Sequence, residues 1–558
     1  MPIANNAKCD KLSMNLIRPF PPPLRPAIIG DSIEKPLGLA VYVILGAAAL
    51  SPLLWTRIPP LVDYPNHLAR MWILVHRSEI PELAANYIVH WRILPDLAMD
   101  LVVSVLSLLM PVEQAGRVFV AVTMLALVAG TLTLHRALHG RLSLWPICSV
   151  LFVYNAALFW GFVNCLFATG VYLFAFSGWI ATRDWRMSSR ILMFSIVGSV
   201  LLLLHLFAFG LYGLSVVTYE LAVRICGRRL SVSSCTSWIV TWLQFVPGVV
   251  LWYISLPDAG STLTLYGDFG AKLYALISPF DFGYQPTGFD TFFELAMWCA
   301  LIFATISRSL RLAPGMRVTI AALIVAAVLM PNRMSGSWSA DIRLPVTLPF
   351  VIIASTRLEM SRKGITSLLA TSALMLFGLR IWAVSQSWRE YDHWFAEFRS
   401  ASAVISPGAR LLIVEAPILE DRRRLTRVPP MLAIVQPAAF NHLGALAVVD
   451  RAAFFPYMFA GWTTIDVTQR NKAVSQREGV PARPDELIKS ADPGQTKALE
   501  ATSNLIGEPP HWRNWPETFD FVLWIDFSGA PKPELKQLQP LAKGSFFDIY
   551  RVIRPQAR

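Results

Sequence analysis

The feature that most constrains this 558-residue chain is the recurrence of apolar blocks near 20 residues long, separated by short polar or arginine-bearing connections. At about 1.5 Å of helical rise per residue, such a block crosses the roughly 30 Å hydrocarbon layer of a bilayer. Backbone amides and carbonyls in lipid must bond to one another, so the blocks are expected as helices. With 54% apolar and only 15% charged residues, the chain reads as a polytopic α-helical membrane protein. Its net charge of +12 does not point to nucleic acid, because the basic residues sit in short clusters between apolar blocks, where they act as topology signals. None of the six cysteines falls beyond residue 299, and no disulfide framework or zinc-ligand spacing can be read from them.

Residues 1–35 are polar and proline-rich, with Lys8, Lys11, Arg18, Arg25 and Lys35, and are expected to form a disordered cytoplasmic tail. The block from Pro36 to Trp55 is long enough to be an uncleaved anchor, which sends Asp63 to the outer face. Leu97 to Met110 then controls the topology: it is only 14 residues long and contains Asp100, so it either spans or lies along the interface. If it lies flat, spans follow at 117–135, 143–157, 163–182, 190–205, 207–224, 236–256, 290–307, 317–330, 345–357 and 364–384. The clusters Arg136/Arg141, Arg183/Arg186/Arg190, Arg224/Arg228/Arg229, Arg308/Arg311/Arg317 and Arg357/Arg362/Lys363 then all face the cytoplasm. The positive-inside rule favours that arrangement, with eleven spans, an inside N-terminus and an outside C-terminus.

In this topology the chemistry-bearing residues collect on the outer face. The first outer loop, 56–116, opens with Pro59-Pro60-Leu61-Val62-Asp63-Tyr64-Pro65-Asn66-His67-Leu68-Ala69-Arg70, which places an acid, an imidazole and a guanidinium within eight positions. If Asn66 to His76 is helical, Asn66 and Arg70 share a face, and Asp63 sits near the N-terminus, where the helix dipole favours its charge and its side chain is placed to cap free amides. From the residues alone this is either a functional acid or the cap of a surface helix. The loop Pro331 to Leu344 carries Arg333 and Arg343, while the other short outer turns are almost free of basic residues. Paired guanidinium hydrogen bonds suit a phosphate or pyrophosphate, although an interface arginine salt-bridged to Asp341 fits the same pattern. Lys272, in the loop Pro257 to Phe289, reads as a third cation or as a snorkelling interfacial lysine. His205, at the outer end of a span, suits a helix–helix hydrogen bond or a site role. Asp96 and Asp100 are acids in apolar surroundings and need a polar cavity or a partner.

From Ser385 the composition changes. The segment YDHWFAEFRSASAVI has helical periodicity, while ARLLIVEAP, LGALAVVD, FDFVLWIDFSG and FFDIYRVIRP read as short buried strands. Residues 385–558 are thus expected as an extracytoplasmic α/β domain after a membrane module at 36–384, and they carry no Gly-x-Gly-x-x-Gly or P-loop fingerprint.

An acid in the first outer loop, the segment Glu113-Gln114-Ala115-Gly116-Arg117 before a span, and a soluble outer domain after many spans together resemble the GT-C class of membrane glycosyltransferases. That class includes protein mannosyltransferases and the aminoarabinose transferases of lipid A. The resemblance implies an inverting transferase that takes a sugar from a polyprenyl-phosphate donor to a lipid, glycan or protein acceptor on the outer face of a bacterial inner membrane. It implies Asp63 as catalytic acid and Arg333 and Arg343, with Lys272, as donor-phosphate ligands. His67, Arg70, Asp96, Asp100 and His205 are left as acceptor-binding or orienting residues. Many members carry two adjacent acids, whereas Tyr64 follows Asp63 here, so a second acid has to come from elsewhere, such as Asp96 or Asp100. The partners implied are the lipid-linked sugar and membrane lipid; the sequence requires no cofactor and leaves open a divalent cation shared by Asp63, Asp96 and Asp100. A lipid or oligosaccharide transporter, a polymerase-like protein and a non-catalytic scaffold are the alternatives to this reading.

Overall fold

The computed structural model describes residues 34–554 apart from 142, 227–231, 256–263, 282–287, 307–308, 335–336, 359–362, 417–436, 462, 476–480, 491–510, 528–531 and 533. The expected tail at 1–33, and Arg228, Arg229, Arg308 and Arg362 of the expected basic clusters, lie outside the described residues. In chain order the first helices are α1 (Glu34–Leu50), α2 (Tyr64–His76), α3 (Pro81–Asn86), α4 (Ala98–Leu106), α5 (Val112–His139), α6 (Ala156–Trp160), α7 (Val163–Ala181), α8 (Met187–Leu204) and α9 (Leu206–Cys226). They continue with α10 (Val232–Val240), α11 (Val246–Ser255), α12 (Phe269–Ile277), α13 (Gly288–Ile306), α14 (Met316–Leu329), α15 (Ala340–Ser355) and α16 (Lys363–Ala401).

Among the described residues, six helical stretches are long and apolar enough to cross a membrane: Val112–His139, Val163–Ala181, Met187–Leu204, Leu206–Ile225, Thr236–Ser255 and Ser367–Val404. Shorter apolar helices occupy Gly38–Leu54, Trp145–Trp160 and Met316–Leu329. The chain therefore has the helices of a polytopic membrane protein. Helices α13 and α15 lie on the expected spans 290–307 and 345–357. The expected span 143–157 differs: Trp145–Phe152 winds as a 3-10 helix with Pro146 at its start, and α6 follows as a separate short turn. Leu97–Met110 yields only the nine residues of α4, roughly 13 Å of helix, which is too short to span. Asp100 and Val103 face inward there while Val105, Leu108 and Leu109 are exposed, as expected of a helix lying along an interface.

The turns at the two ends of the bundle separate by chemistry. At one end, Leu97 N–H donates to the Leu203 carbonyl and Met99 N–H to Asn164 Oδ1, which brings the starts of α4 and α7 and the end of α8 together. At the other end, Arg190 bonds the Trp179 carbonyl and approaches Glu220, and Arg357 bonds His139.

Position 385, where the composition changes, falls inside α16, which continues unbroken for 39 residues, about 58 Å. The helix is continuous because the apolar periodicity of a span passes directly into the amphipathic YDHWFAEF, with no proline or turn between them. Beyond it, β4 (Leu411–Glu415), β6 (Phe521–Ile525), β7 (Leu538–Lys543) and β8 (Phe547–Val552) form a sheet of order β4-β6-β8-β7, with β4 and β6 parallel and the other pairs antiparallel. The segment LGALAVVD, read as a strand, is instead a 3-10 turn leading into α17 (Leu446–Arg451). A continuous apolar run carries no period that distinguishes a buried helix from a buried strand. The unanticipated β7 contains Pro540 and a bulge, which are tolerated because it is an edge strand. Two further strands, β1 (Tyr87–Val89) and β5 (Ile465–Val467), pair antiparallel and join the first loop to the C-terminal region.

Candidate functional site

Asp63 stands at the N-cap of α2, but its side chain makes no capping hydrogen bond. Its main chain does the anchoring instead. The carbonyl accepts from His67 N–H at 3.0 Å, and the Asp63 N–H donates to the Trp160 carbonyl at 3.1 Å. Gly161, at φ +88°, lies against this residue so closely that a Cβ on it would stand 2.7 Å from Asp63 N and 2.8 Å from Asp63 Cβ. The carboxylate is thereby freed from the helix it begins. It is 19% exposed and faces His442, whose Nε2 is 3.5 Å from Asp63 Oδ1.

Asp96 approaches from the loop before α4. It is held at φ +79°, a left-handed conformation that costs a non-glycine residue about 1–3 kcal/mol and is sustained here by its neighbours. Asn164 provides that support: its Oδ1 accepts Met99 N–H at 2.8 Å and its Nδ2 reaches the Asp96 carbonyl at 3.5 Å. His205 Nε2 lies 3.8 Å from Asp96 Oδ1, and its Nδ1 accepts the Phe207 N–H, so the ring proton belongs on Nε2, toward Asp96. Burial, helped by the charge of Asp100 and opposed by Arg70 and Arg343, pushes the Asp96 carboxyl up to about 6. Arg343, on the first turn of α15, lies with its guanidinium carbon 4.7 Å over the Phe162 ring. One terminal nitrogen reaches the Trp338 carbonyl at 3.5 Å, and the buried Nε has no hydrogen-bond partner among the described residues. Gly161 abuts Asp63 and Phe162 carries Arg343, so successive residues of this one turn contact the acid and the cation.

The other expected residues are engaged elsewhere. Arg70 and Asp100 form a buried ion pair at 2.6 Å, with side chains 2% and 1% exposed, and Thr464 donates to the second Asp100 oxygen. This pair ties α2, α4 and the C-terminal region together, while the buried Arg70 Nε has no hydrogen-bond partner among the described residues. His67 packs edge-on to Phe459; burial, with Arg70 and His442 nearby, keeps it neutral well below the usual imidazole range. Lys272 bonds the Met330 carbonyl and stands 3.6 Å from Asp341, whose other oxygen accepts from Asn332. The partner of Asp341 is therefore Lys272 rather than an arginine. Arg333 pairs through its backbone with Leu265 in both directions at 3.0 Å. Among the described residues no three His, Cys, Asp or Glu side chains converge as a metal site, so Asp63, Asp96 and Asp100 do not share an oxygen cage.

Among the solved structures to which the chain is similar are two of one protein. One is ArnT from Cupriavidus metallidurans bound to undecaprenyl phosphate, at 12% identity and TM-score 0.45, covering 93% of this chain and 98% of that one. The other is the same protein in the apo state, at 12% identity and TM-score 0.41, covering 93% and 97%. At that level the likeness bears on neither the substrate nor the site residues of this chain. No family model and no curated protein matches the sequence.

Sequence reasoning missed His442, the supporting Asn66 and Asn164, and Gly161. The one available signal for His442 was the polar pair Asn441-His442 inside the apolar run 437–449, which is costly to bury without partners.

Proposed function

We propose that the protein is an inverting glycosyltransferase that moves a sugar from a polyprenyl-phosphate donor to an acceptor hydroxyl on the outer face of a bacterial inner membrane. The observation that carries this reading is that successive residues of one turn contact, at Gly161, a carboxylate not used as a cap and, at Phe162, a guanidinium whose buried Nε has no hydrogen-bond partner among the described residues. Asp63 takes the acceptor proton as the oxygen attacks the anomeric carbon. The bond from that carbon to the phosphate oxygen breaks, and polyprenyl phosphate leaves as an anion stabilised by Arg343. A single displacement inverts the anomeric centre. Asp96, with His205 beside it, is the second acid of the site and orients the sugar or acceptor. Arg70 and Asp100 serve the scaffold. The residues 385–558 act as the acceptor-side unit.

The test is turnover and binding of a polyprenyl-phosphate sugar in lipid nanodiscs. Asp63→Asn is expected to bind donor and release no carrier phosphate. Arg343→Gln is expected to weaken donor binding about 10- to 100-fold, the range for losing a charge-assisted hydrogen bond. Full turnover by Asp63→Asn refutes the assignment.

A further inference from the structure

Asn66, one turn into α2, is held by two backbone groups of the C-terminal region: its Nδ2 donates to the Tyr457 carbonyl at 2.7 Å and its Oδ1 accepts the Phe459 N–H at 3.0 Å. Those two bonds fix which end of the amide is nitrogen, since a flipped amide would set oxygen against oxygen and N–H against N–H. The same Nδ2 stands 3.2 Å from His442 Nδ1. An N–H facing Nδ1 requires Nδ1 to be bare, so the neutral ring carries its proton on Nε2, the nitrogen that faces Asp63.

We propose that His442 is a positioning residue for Asp63: locked by Asn66 in the Nε2–H tautomer, it holds one carboxylate oxygen and leaves the other for the acceptor proton. The role rests on the transferase reading, whereas the pairing itself does not. Asn66 also blocks the one route by which the proton could pass onward, because His442 cannot take a second proton at Nδ1 without breaking that bond. The acceptor proton therefore stays on Asp63 until it is lost to solvent or product. A residue of the C-terminal region thus completes a site that begins in the first loop, which accounts for the β1–β5 pairing that knits the two together.

Other titratable groups on the packed elements are committed. On α2, His67 is kept neutral by burial and Arg70 is paired with Asp100 of α4. On α17, Asp450 is paired with Arg399, which also holds Glu113 of α5, and Arg451 bonds the Ile405 carbonyl. Arg117 of α5 bonds the Thr56 carbonyl, and from the C-terminal segment Tyr457 bonds His511.

The experiment has two arms on the full-length protein in nanodiscs. In the first, imidazole nitrogen NMR of histidine-labelled protein, with His442 assigned by its loss in His442→Gln, is expected to show a bare Nδ1 and a protonated Nε2 at neutral pH. That Nε2 signal should move in Asp63→Asn, which removes the carboxylate it faces. A protonated Nδ1, or a signal indifferent to Asp63→Asn, overturns the proposal whether or not any substrate is turned over. In the second, His442→Leu is expected to lower kcat roughly ten- to hundredfold with KM for donor within about twofold. His442→Gln, which keeps an N–H near the Nε2 position, should restore most of kcat. A normal kcat in His442→Leu, or a loss that His442→Gln does not restore, overturns the role. A wild type inert toward every polyprenyl-phosphate sugar refutes the transferase reading instead, and the spectra still decide the pair.

Discussion

Replacing Gly161 by alanine probes the contact on which the site depends. Two costs are expected. At φ +88° an L-residue is strained by about 1–2 kcal/mol. The added methyl would also meet Asp63 N at 2.7 Å and Asp63 Cβ at 2.8 Å, and relieving such overpacking costs typically about 1–3 kcal/mol. Gly140 separates the two, because it sits at φ +71° with none of the described residues within 4 Å of its missing methyl. Gly140→Ala should therefore lose only the backbone component, about 1–2 kcal/mol, and keep full turnover. Gly161→Ala should lose about 1–3 kcal/mol more, and because the atoms displaced belong to Asp63, kcat should fall by about one to two orders of magnitude. Unfolding and carrier-phosphate release, measured side by side in nanodiscs, give both numbers. If Gly161→Ala matches Gly140→Ala in stability and in turnover, the close approach of Gly161 to Asp63 plays no part in building the site.

Three further outcomes are expected. Breaking the buried Arg70–Asp100 pair with Arg70→Met should destabilise the fold by about 3–5 kcal/mol, and the double replacement with Asp100→Leu should recover much of that, as read by thermal unfolding. Burial of its Oδ1 raises the Asp96 carboxyl, so lowering the pH from 7.5 to 5 removes negative charge near Arg343 and should tighten binding of an anionic phosphodiester donor. Its side chain retains 44% exposure, so solvent screening limits the gain to about two- to fivefold; Asp96→Asn should bind with no such pH dependence, and a steeper or inverted profile refutes the assignment. Replacing Asn164 by Leu should release the strained Asp96 backbone and leave the buried Met99 N–H without its acceptor, so that turnover falls and stability drops by about 1–3 kcal/mol, as read by carrier-phosphate release and thermal unfolding.

Several elements were legible in the sequence because they depend on local composition. Block length and apolarity set the helices α5, α7, α8 and α9 to within a few residues, and the alternation of arginine-bearing and arginine-free turns matched the two chemically distinct ends of the bundle. The helix after Asp63 was legible from its own spacing, as were strands β4, β6 and β8 from their bounded apolar runs. What the sequence could not decide was which polar groups meet. Arg70 and Asp100 looked like site residues because an unpaired charge in apolar surroundings is expensive, and the same expense is met by pairing them with each other across 30 positions. Lys272 was likewise taken up by Asp341, which left Arg343 free of the bridge that spacing suggested. His442 lies 379 positions from Asp63, and nothing local in PAAFNHLGALAVV indicates that its imidazole will be turned by Asn66 toward an acid in the first loop. Periodicity and hydropathy are properties of neighbours along the chain, so they specify helices, strands and their order. Partner choice among buried charges is set by distances that exist only once α2, α4, α17 and the turn at Gly161 have packed, and that packing turned His442 toward Asp63.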